Sequence, residues 1–234
     1  MGFFALLGHI STLDLSKVEE ISGASAGSIL GMFLCQGTPC EEILKICLDI
    51  NIESLVKPNL LMMLTYYGVT PLGPVKNKLF ELFGNITFED VFKKYHKKLH
   101  VSAFCVDDGC TEYFSVDTHP NMLVVDAITM SISVPFLFEP IVHNGKYYVD
   151  GGLIEKSPMR PFVNLESKKG LTLHSPIRCE KIKNIKSFFM KLLDSCRKSD
   201  EYDCDVVKTS FNIFNLSMTR DDKIKMFKDQ LDHK

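Results

Sequence analysis

The stretch EISGASAGSILG, residues 20–31, constrains the fold of this chain more than any other part of the sequence. It places Ser25 among four small residues, which are Gly23, Ala24, Ala26 and Gly27. Residues 18–22 are typical of a short strand, and the segment after Ser25 is typical of a buried helix that ends near Gly37. A strand, a bend of small residues and a helix in this order predict a parallel α/β unit with Ser25 on the bend.

Residues 23–27 fit the pattern G-x-S-x-G, which forms a nucleophile elbow when it lies on a strand-to-helix turn. Such a turn lifts the serine hydroxyl out of the sheet, and the flanking residues are expected to be small because strand and helix crowd together there. The first amides of the following helix favour negative charge on a substrate oxygen, and the N–H of Ala26 is the natural donor. The alternative is a glycine-rich turn that only lets a strand and a helix pack closely.

Helical and strand-like segments alternate through the first 155 residues, which favours an α/β fold with parallel strands. Within this pattern, Asp107-Asp108-Gly109 predicts a turn between strands at 99–106 and 113–116. The chain reads as one domain with a helical tail. Apolar residues make up 45% of the 234 residues and the formal net charge is −2. This composition supplies a core and argues against nucleic acid as a partner.

The sequence also predicts a cytoplasmic location. Its eight cysteines include no C-x-x-C pair, so neither a zinc ribbon nor a redox motif is expected, and the thiols are expected to be free. The N-terminal residues lack the basic region and the uninterrupted apolar stretch of a signal peptide. No run approaches the roughly 18 apolar residues of a membrane-spanning helix.

A serine hydroxyl is a poor nucleophile until a base takes its proton. None of the seven histidines has the strand-end position that is typical of a triad histidine. Asp150 has that position, because it follows a strand at 147–149 and precedes Gly151 and Gly152. Its carboxylate is expected at the carboxyl end of the sheet, where sites of α/β proteins form. Taken alone, an Asp-Gly-Gly sequence favours an ordinary hairpin turn.

Three separated motifs together resemble the patatin-like phospholipase family. They are ISGASAGSILG (21–31), DAITMSISVPFLFEP (126–140) and YYVDGGLIEKSP (147–158). The resemblance covers roughly residues 2–160. It implies a three-layer α/β/α fold with a mainly parallel central sheet, in a domain over 1–180 with a C-terminal helical extension over 181–234.

The same resemblance implies a function. It makes Ser25 the nucleophile and Asp150 its partner in a dyad without histidine, and Gly23, Gly27, Gly151 and Gly152 become the supporting glycines. The implied reaction is hydrolysis of fatty acyl esters of lipids through an acyl-serine, with no metal and no cofactor.

The sequence departs from the family pattern at its start. The family's glycine-rich oxyanion loop follows a first strand, and only its last glycine has a counterpart here, Gly2. Gly2 and Ala26 are therefore the expected oxyanion donors, and the first strand is expected to be missing. Three explanations stay open: a start further upstream, an inactive relative that binds lipid or a partner, or a hole completed by the N-terminal residues. A second departure is Lys156, where the family often has asparagine.

Two further segments carry alternatives. The apolar, methionine-rich residues 55–68 are interpreted as part of the core, and the alternative is an adaptable lip over an apolar site. The basic residues 178–198 have a helical apolar stripe, which predicts a helix packed on the domain. The alternative is docking of this segment on an anionic membrane as a peripheral contact.

Overall fold

The structure is a computed structural model, and it describes residues 2–163, 168–174, 188, 191, 202, 204–212, 215 and 217–231. Its helices are α1 (Phe3–Ile10), α2 (Ala26–Cys35), α3 (Cys40–Asp49), α4 (Ile52–Leu55), α5 (Met62–Tyr66), α6 (Gly73–Phe83), α7 (Phe88–Tyr95), α8 (Val124–Ser131) and α9 (Arg220–Lys228). Among the described residues, no helix is long and apolar enough to cross a membrane.

The strands are β1 (Glu20–Ala24), β2 (Gly68–Thr70), β3 (Lys98–Cys105), β4 (Cys110–Phe114), β5 (Phe136–Phe138), β6 (Ile141–His143), β7 (Lys146–Asp150), β8 (Leu171–His174) and β9 (Asp205–Lys208). Strands β1, β3, β4, β6 and β7 form the main sheet. Parallel pairing joins β1 to β3, while β4 and β7 run antiparallel to β3 and β6 runs antiparallel to β7. Helices and strands alternate along the chain, so the predicted α/β class is confirmed.

Strand β3 organises the sheet because it holds β1 and β7 end to end. Its first half, up to Ser102, pairs with β1. Its second half, from Ala103, pairs with β7. Strand β4 pairs with residues of both halves, so β1 and β7 must share the opposite side of β3. Their last residues, Ala24 and Asp150, therefore lie opposite consecutive residues of β3 and face each other.

Helices α2 and α8 pack on the sheet, α2 on β1 and β3 and α8 on β3 and β7, and both contribute to the main core. In α2, a Cβ on Gly31 would lie 3.0 Å from a methyl group of Leu99, so helix and strand pack as closely as a glycine allows. Every residue of α8 except Asp126 is buried. Complete burial of each large side chain of this core, such as Phe114 or Ile128, contributes roughly 1.5–3 kcal/mol to folding.

The described residues after 170 also pack on this core. Strand β8 pairs in parallel with β9. Helix α9 lies against α1 so closely that a Cβ on Gly8 would come within 2.3 Å of the carbonyl oxygen of Phe227. The prediction of a helical extension over 181–234 missed β9. The basic segment 178–198 lies outside the described residues apart from 188 and 191, so membrane contact there stays a prediction.

One edge of the main sheet is unpaired among the described residues. Within the described part of the chain, β1 pairs with β3 only.

The interpretation of the methionine-rich segment as core is wrong for most of its middle. Leu60, Leu61 and Leu64 are among the most exposed large apolar side chains of the described residues.

Candidate active site

Ser25 occupies the bend between β1 and α2, and its backbone is strained there. Its φ is 52° and its ψ is −124°, a conformation that costs a residue with a Cβ roughly 1–3 kcal/mol. Its backbone N–H donates a 2.8 Å hydrogen bond to Oγ of Ser131, at the end of α8. Ser131 is completely buried. The strained bend is thus fixed by a side chain from a distant part of the sequence.

Gly23 and Gly27, two of the four small residues around Ser25, differ in how closely other atoms surround them. A Cβ on Gly23 would lie 2.4 Å from the carbonyl oxygen of Gly27, so no other residue fits there without moving the backbone. A Cβ on Gly27 would meet nothing within 4 Å. The expectation that crowding requires small residues on both flanks is therefore confirmed at Gly23 and wrong at Gly27. Gly27, like Ala26, lines a cavity in front of Ser25.

Asp150 lies directly beside Ser25. Its side chain is buried, with 3% of the residue exposed. Its Oδ2 accepts a 2.5 Å hydrogen bond from the Ser25 hydroxyl, and its Oδ1 accepts a 2.8 Å bond from the N–H of Gly152. The N–H of Asp150 donates to the carbonyl oxygen of Ser133. The carboxylate is therefore held by the turn that follows β7 and has one oxygen directed at the serine hydroxyl.

The two glycines after Asp150 are required by close contacts. A Cβ on Gly151 would lie 2.5 Å from the carbonyl oxygen of Ser102 on β3. A Cβ on Gly152 would lie 3.1 Å from Asp150 Oδ1 and 3.7 Å from the Cβ of Ser25. The Asp-Gly-Gly sequence is thus more than an ordinary turn, because any larger residue would displace the carboxylate or the strand below it.

Ser25 and Asp150 open into a cavity of about 1120 Å³. Gly2 and Ala26, the two expected oxyanion donors, line the same cavity. About half of the remaining lining residues are aliphatic, including Ile29, Leu79, Leu82, Ile52, Val56 and Leu137. The charged lining residues besides Asp150 include six lysines, which are Lys17, Lys78, Lys97, Lys156, Lys168 and Lys169. Ligand cavities for small molecules usually measure about 300–1,000 Å³. The volume and the aliphatic part of the wall can accommodate a long apolar chain.

Histidine takes no part in lining this cavity within the described residues. His100, on β3, is buried, and burial lowers the pKa of its imidazole. The group within hydrogen-bonding distance of the Ser25 hydroxyl is Asp150. In the described part of the chain, no group of three or more His, Cys, Asp or Glu could hold a metal ion.

A match to a family sequence model shows to which protein family this chain belongs. The sequence model described as "Patatin-like phospholipase" matches residues 1–163. The chain belongs to the patatin-like phospholipase family. The predicted resemblance is therefore confirmed. Ser25, Asp150 and both glycine motifs lie inside the matched range.

Two viral proteins are similar in sequence to this patatin-like chain. A probable lipid hydrolase of Invertebrate iridescent virus 6 is 27% identical over 175 residues, which are 70% of this chain and 60% of that protein. An uncharacterised protein of Acanthamoeba polyphaga mimivirus is 27% identical over 180 residues, 72% of this chain and 61% of that protein. The chain thus spans about three fifths of the length of these relatives.

The fold is shared with a solved structure. VipD from Legionella pneumophila superposes with a TM-score of 0.62 at 17% sequence identity, over 98% of this chain and 64% of VipD. At this identity the likeness concerns the fold alone, and it confirms the patatin-like α/β architecture.

Sequence reasoning missed two residues that hold the site. Ser131 binds the backbone of Ser25, and Ser133 binds the backbone of Asp150. Both lie in the stretch SISVPFLFEP, which carried the family resemblance. The available signal was two serines near the end of a predicted short helix, just before Pro135. Nothing in the sequence indicated which backbone they would meet.

Proposed function

We propose that this protein hydrolyses fatty acyl esters of lipids, with Ser25 as nucleophile and Asp150 as general base. The observation that carries the proposal is the 2.5 Å hydrogen bond from Ser25 Oγ to Asp150 Oδ2, two side chains that line one large cavity with a mainly apolar surface. The aliphatic part of the cavity wall can contact the acyl chain. The family match and the viral lipid hydrolase support the same reaction class.

Acylation begins when Ser25 Oγ attacks the carbonyl carbon of the ester. The hydroxyl proton passes to Asp150 Oδ2, and the electrons of the C=O bond move to its oxygen. When the C–O bond to the alcohol breaks, the departing oxygen takes the proton from Asp150. The product of this half-reaction is an acyl-serine, and the alcohol part of the lipid leaves.

Deacylation repeats these steps with water. Asp150 accepts a proton from the water molecule as its oxygen attacks the acyl carbon. The tetrahedral intermediate then expels Ser25 Oγ, which recovers the proton, and the fatty acid is released. The N–H of Gly152 holds the other carboxylate oxygen throughout. One carboxylate oxygen can therefore serve as the base in both half-reactions while the side chain stays in place.

The negative charge on the carbonyl oxygen requires donors at the same end of the cavity. Helix α2 begins at Ala26, so its first amides have no partner within the helix and carry the positive end of the helix dipole. We assign the N–H of Ala26 as one donor and the backbone of Gly2, which precedes α1 and lines the cavity, as the second. Loss of one such donor typically lowers the rate by about 10²–10³-fold.

Labelling with a fluorophosphonate, followed by mass spectrometry of the modified peptide, tests the nucleophile. The expected result is one adduct at Ser25, lost in Ser25→Ala and retained in Ser54→Ala, which changes an exposed serine. Asp150→Asn is expected to remove ester hydrolysis while the protein stays folded, and Asp221→Asn, an exposed control, is expected to keep it. A folded protein without an adduct at Ser25, or full turnover by Asp150→Asn, would refute the assignment.

A second candidate is a patatin-like protein that binds acyl chains without hydrolysing them. It is favoured by one observation: among the described residues, β1 is paired on one side only, next to the cavity that it lines. An unpaired strand beside the site could leave the oxyanion donors less well fixed. Binding of a fatty acid without any fluorophosphonate adduct would support this candidate over the enzyme.

A further inference from the structure

A group of exposed apolar side chains projects from the segment that follows the cavity wall. Leu60, Leu61 and Leu64 are 76%, 77% and 87% exposed, and Tyr66 and Tyr67 are more than half exposed. We call residues 60–67 the apolar ridge. Single exposed apolar residues are normal on protein surfaces, whereas five within eight residues form a patch that indicates an interaction surface.

The ridge is held outward by its backbone. The N–H of Asn59 donates to the carbonyl oxygen of Val69, and its side-chain oxygen accepts from the N–H of Leu61. Directly after the ridge, β2 pairs with β5, and a Cβ on Gly68 would lie 2.2 Å from the oxygen of Phe138. Both ends of the ridge are therefore fixed to the domain. Its exposure follows from the fold.

The ridge is continuous with the candidate active site. Ile52, Leu55 and Val56, a few residues before it, line the cavity that contains Ser25 and Asp150. Val56 also packs in a small apolar cluster with Leu72 and Phe138, at the other end of the segment. A partner that covers the ridge would thus lie beside the wall of the cavity.

The chemistry of the ridge fits a lipid surface. Between residues 54 and 72 the only charged side chain is Lys57, so the segment can enter the interfacial region without burying a carboxylate. Tyrosines are common where apolar side chains meet lipid head groups. Tyr67 stacks edge-to-face on Tyr147, with ring centroids 5.9 Å apart, and this contact extends the exposed apolar surface to the β6–β7 hairpin.

We infer that the apolar ridge inserts into the surface of a phospholipid bilayer and thereby presents the cavity of Ser25 to that bilayer. The choice of a bilayer as the partner rests on the proposed function, because a lipid hydrolase must meet a substrate that resides there. The leucines enter the acyl region, the tyrosines lie at the level of the head groups, and Lys57 favours anionic lipids.

The first test measures binding without catalysis. The full chain is sedimented with vesicles of diether phosphatidylcholine and diether phosphatidylglycerol, whose ether bonds cannot be hydrolysed as esters. Triple replacement of Leu60, Leu61 and Leu64 by serine is expected to lower the vesicle partition coefficient at least about tenfold. The matched control replaces three exposed apolar residues outside the ridge, Val106, Val206 and Leu231, by serine and is expected to bind like the unmodified protein.

The second test reports insertion directly and uses a variant with one changed residue. The chain contains no tryptophan, so Leu64→Trp introduces a single fluorophore on the ridge. Its emission is expected to shift to shorter wavelength when the vesicles are added. The control is Phe92→Trp, which places the fluorophore on a half-exposed site of α7, and its emission is expected to stay unchanged.

Several outcomes would overturn the inference. They are equal binding by both triple variants, no shift for Leu64→Trp, and a dimer in light scattering that only the ridge variant dissociates while vesicle binding persists. The last outcome would assign the ridge to a second copy of the chain. If the proposed function is wrong and the inference about the ridge is right, the protein will not hydrolyse a short soluble ester but will still bind the ether vesicles. The two failures can therefore be distinguished.

Discussion

Ser131→Ala is the most informative substitution, because it tests whether a residue outside the dyad sets the position of Ser25. The change removes the oxygen that accepts the backbone N–H of Ser25 at 2.8 Å. A buried donor left without a partner costs about 1–3 kcal/mol, and the backbone that it restrains already has a φ of 52°. The free energy of unfolding is expected to fall by about that amount, which lowers Tm by roughly 2–12 °C for a domain of this size.

The same substitution should slow the reaction more than it weakens substrate binding. The hydroxyl of Ser25 would no longer be held against Asp150, whereas the apolar wall that binds the acyl chain is unchanged. A misplaced reacting group can cost about 10²-fold in rate, so we expect kcat on a soluble ester to fall by about 10–100-fold with KM within about threefold. The rate of fluorophosphonate labelling should fall in parallel.

Two further variants separate positioning from simple destabilisation. Ser131→Thr keeps a hydroxyl and is expected to recover part of kcat. Thr129→Val removes a buried hydroxyl from the same helix, one that donates only to the carbonyl oxygen of Val125, and is expected to lower stability without changing kcat. A Ser131→Ala protein with the kcat of the unmodified enzyme, measured well below its Tm, would refute the role given to Ser131.

Three other predictions concern the fold. Gly23→Ala should lower the free energy of unfolding in urea by at least about 2 kcal/mol, because its Cβ would overlap the backbone of Gly27. The control is Gly27→Ala, whose Cβ would meet nothing and which should change the free energy of unfolding by less than about 1 kcal/mol. Equal losses of stability in the two variants would contradict the packing described for the bend at Ser25. Thr87→Ala removes the capping box of α7 and should cost about 1 kcal/mol in the same assay; an unchanged urea midpoint would argue against the cap. Burial lowers the pKa of His100 below 6.5, so the unfolded chain binds more protons than the folded chain just below that pH. The free energy of unfolding should therefore decrease as the pH falls through this range. His100→Gln should make the free energy of unfolding depend less on pH there, and an unchanged dependence would mean that other groups cause it.

Much of the site could be predicted from the sequence because its parts are local. The bend at Ser25 requires Gly23 two residues before it, and the turn at Asp150 requires Gly151 directly after it. Each requirement therefore appears in the sequence as a motif of a few residues. Their meeting also followed from the family resemblance. What the sequence did not contain was the reason, which is that β1 and β7 end against consecutive residues of β3.

The errors have a physical cause as well. Leu60, Leu61 and Leu64 were interpreted as core because apolar composition does not distinguish a buried segment from an exposed one that is held outward by hydrogen bonds at its ends. Gly27 was expected to be small because of crowding between β1 and α2, but a Cβ at this position meets nothing, and only the three-dimensional course of α2 decides this. Ser131 was missed because its contact with Ser25 spans 106 residues of sequence.

The end-to-end arrangement of β1 and β7 has a consequence for biosynthesis. The two members of the dyad are 125 residues apart in the chain, and both depend on the central strand that lies between them in sequence. A nascent chain that has emerged only as far as β3 contains the serine but no carboxylate to activate it. The proposed hydrolase would therefore be inactive on the ribosome until Asp150 has been synthesised and β7 has paired with β3.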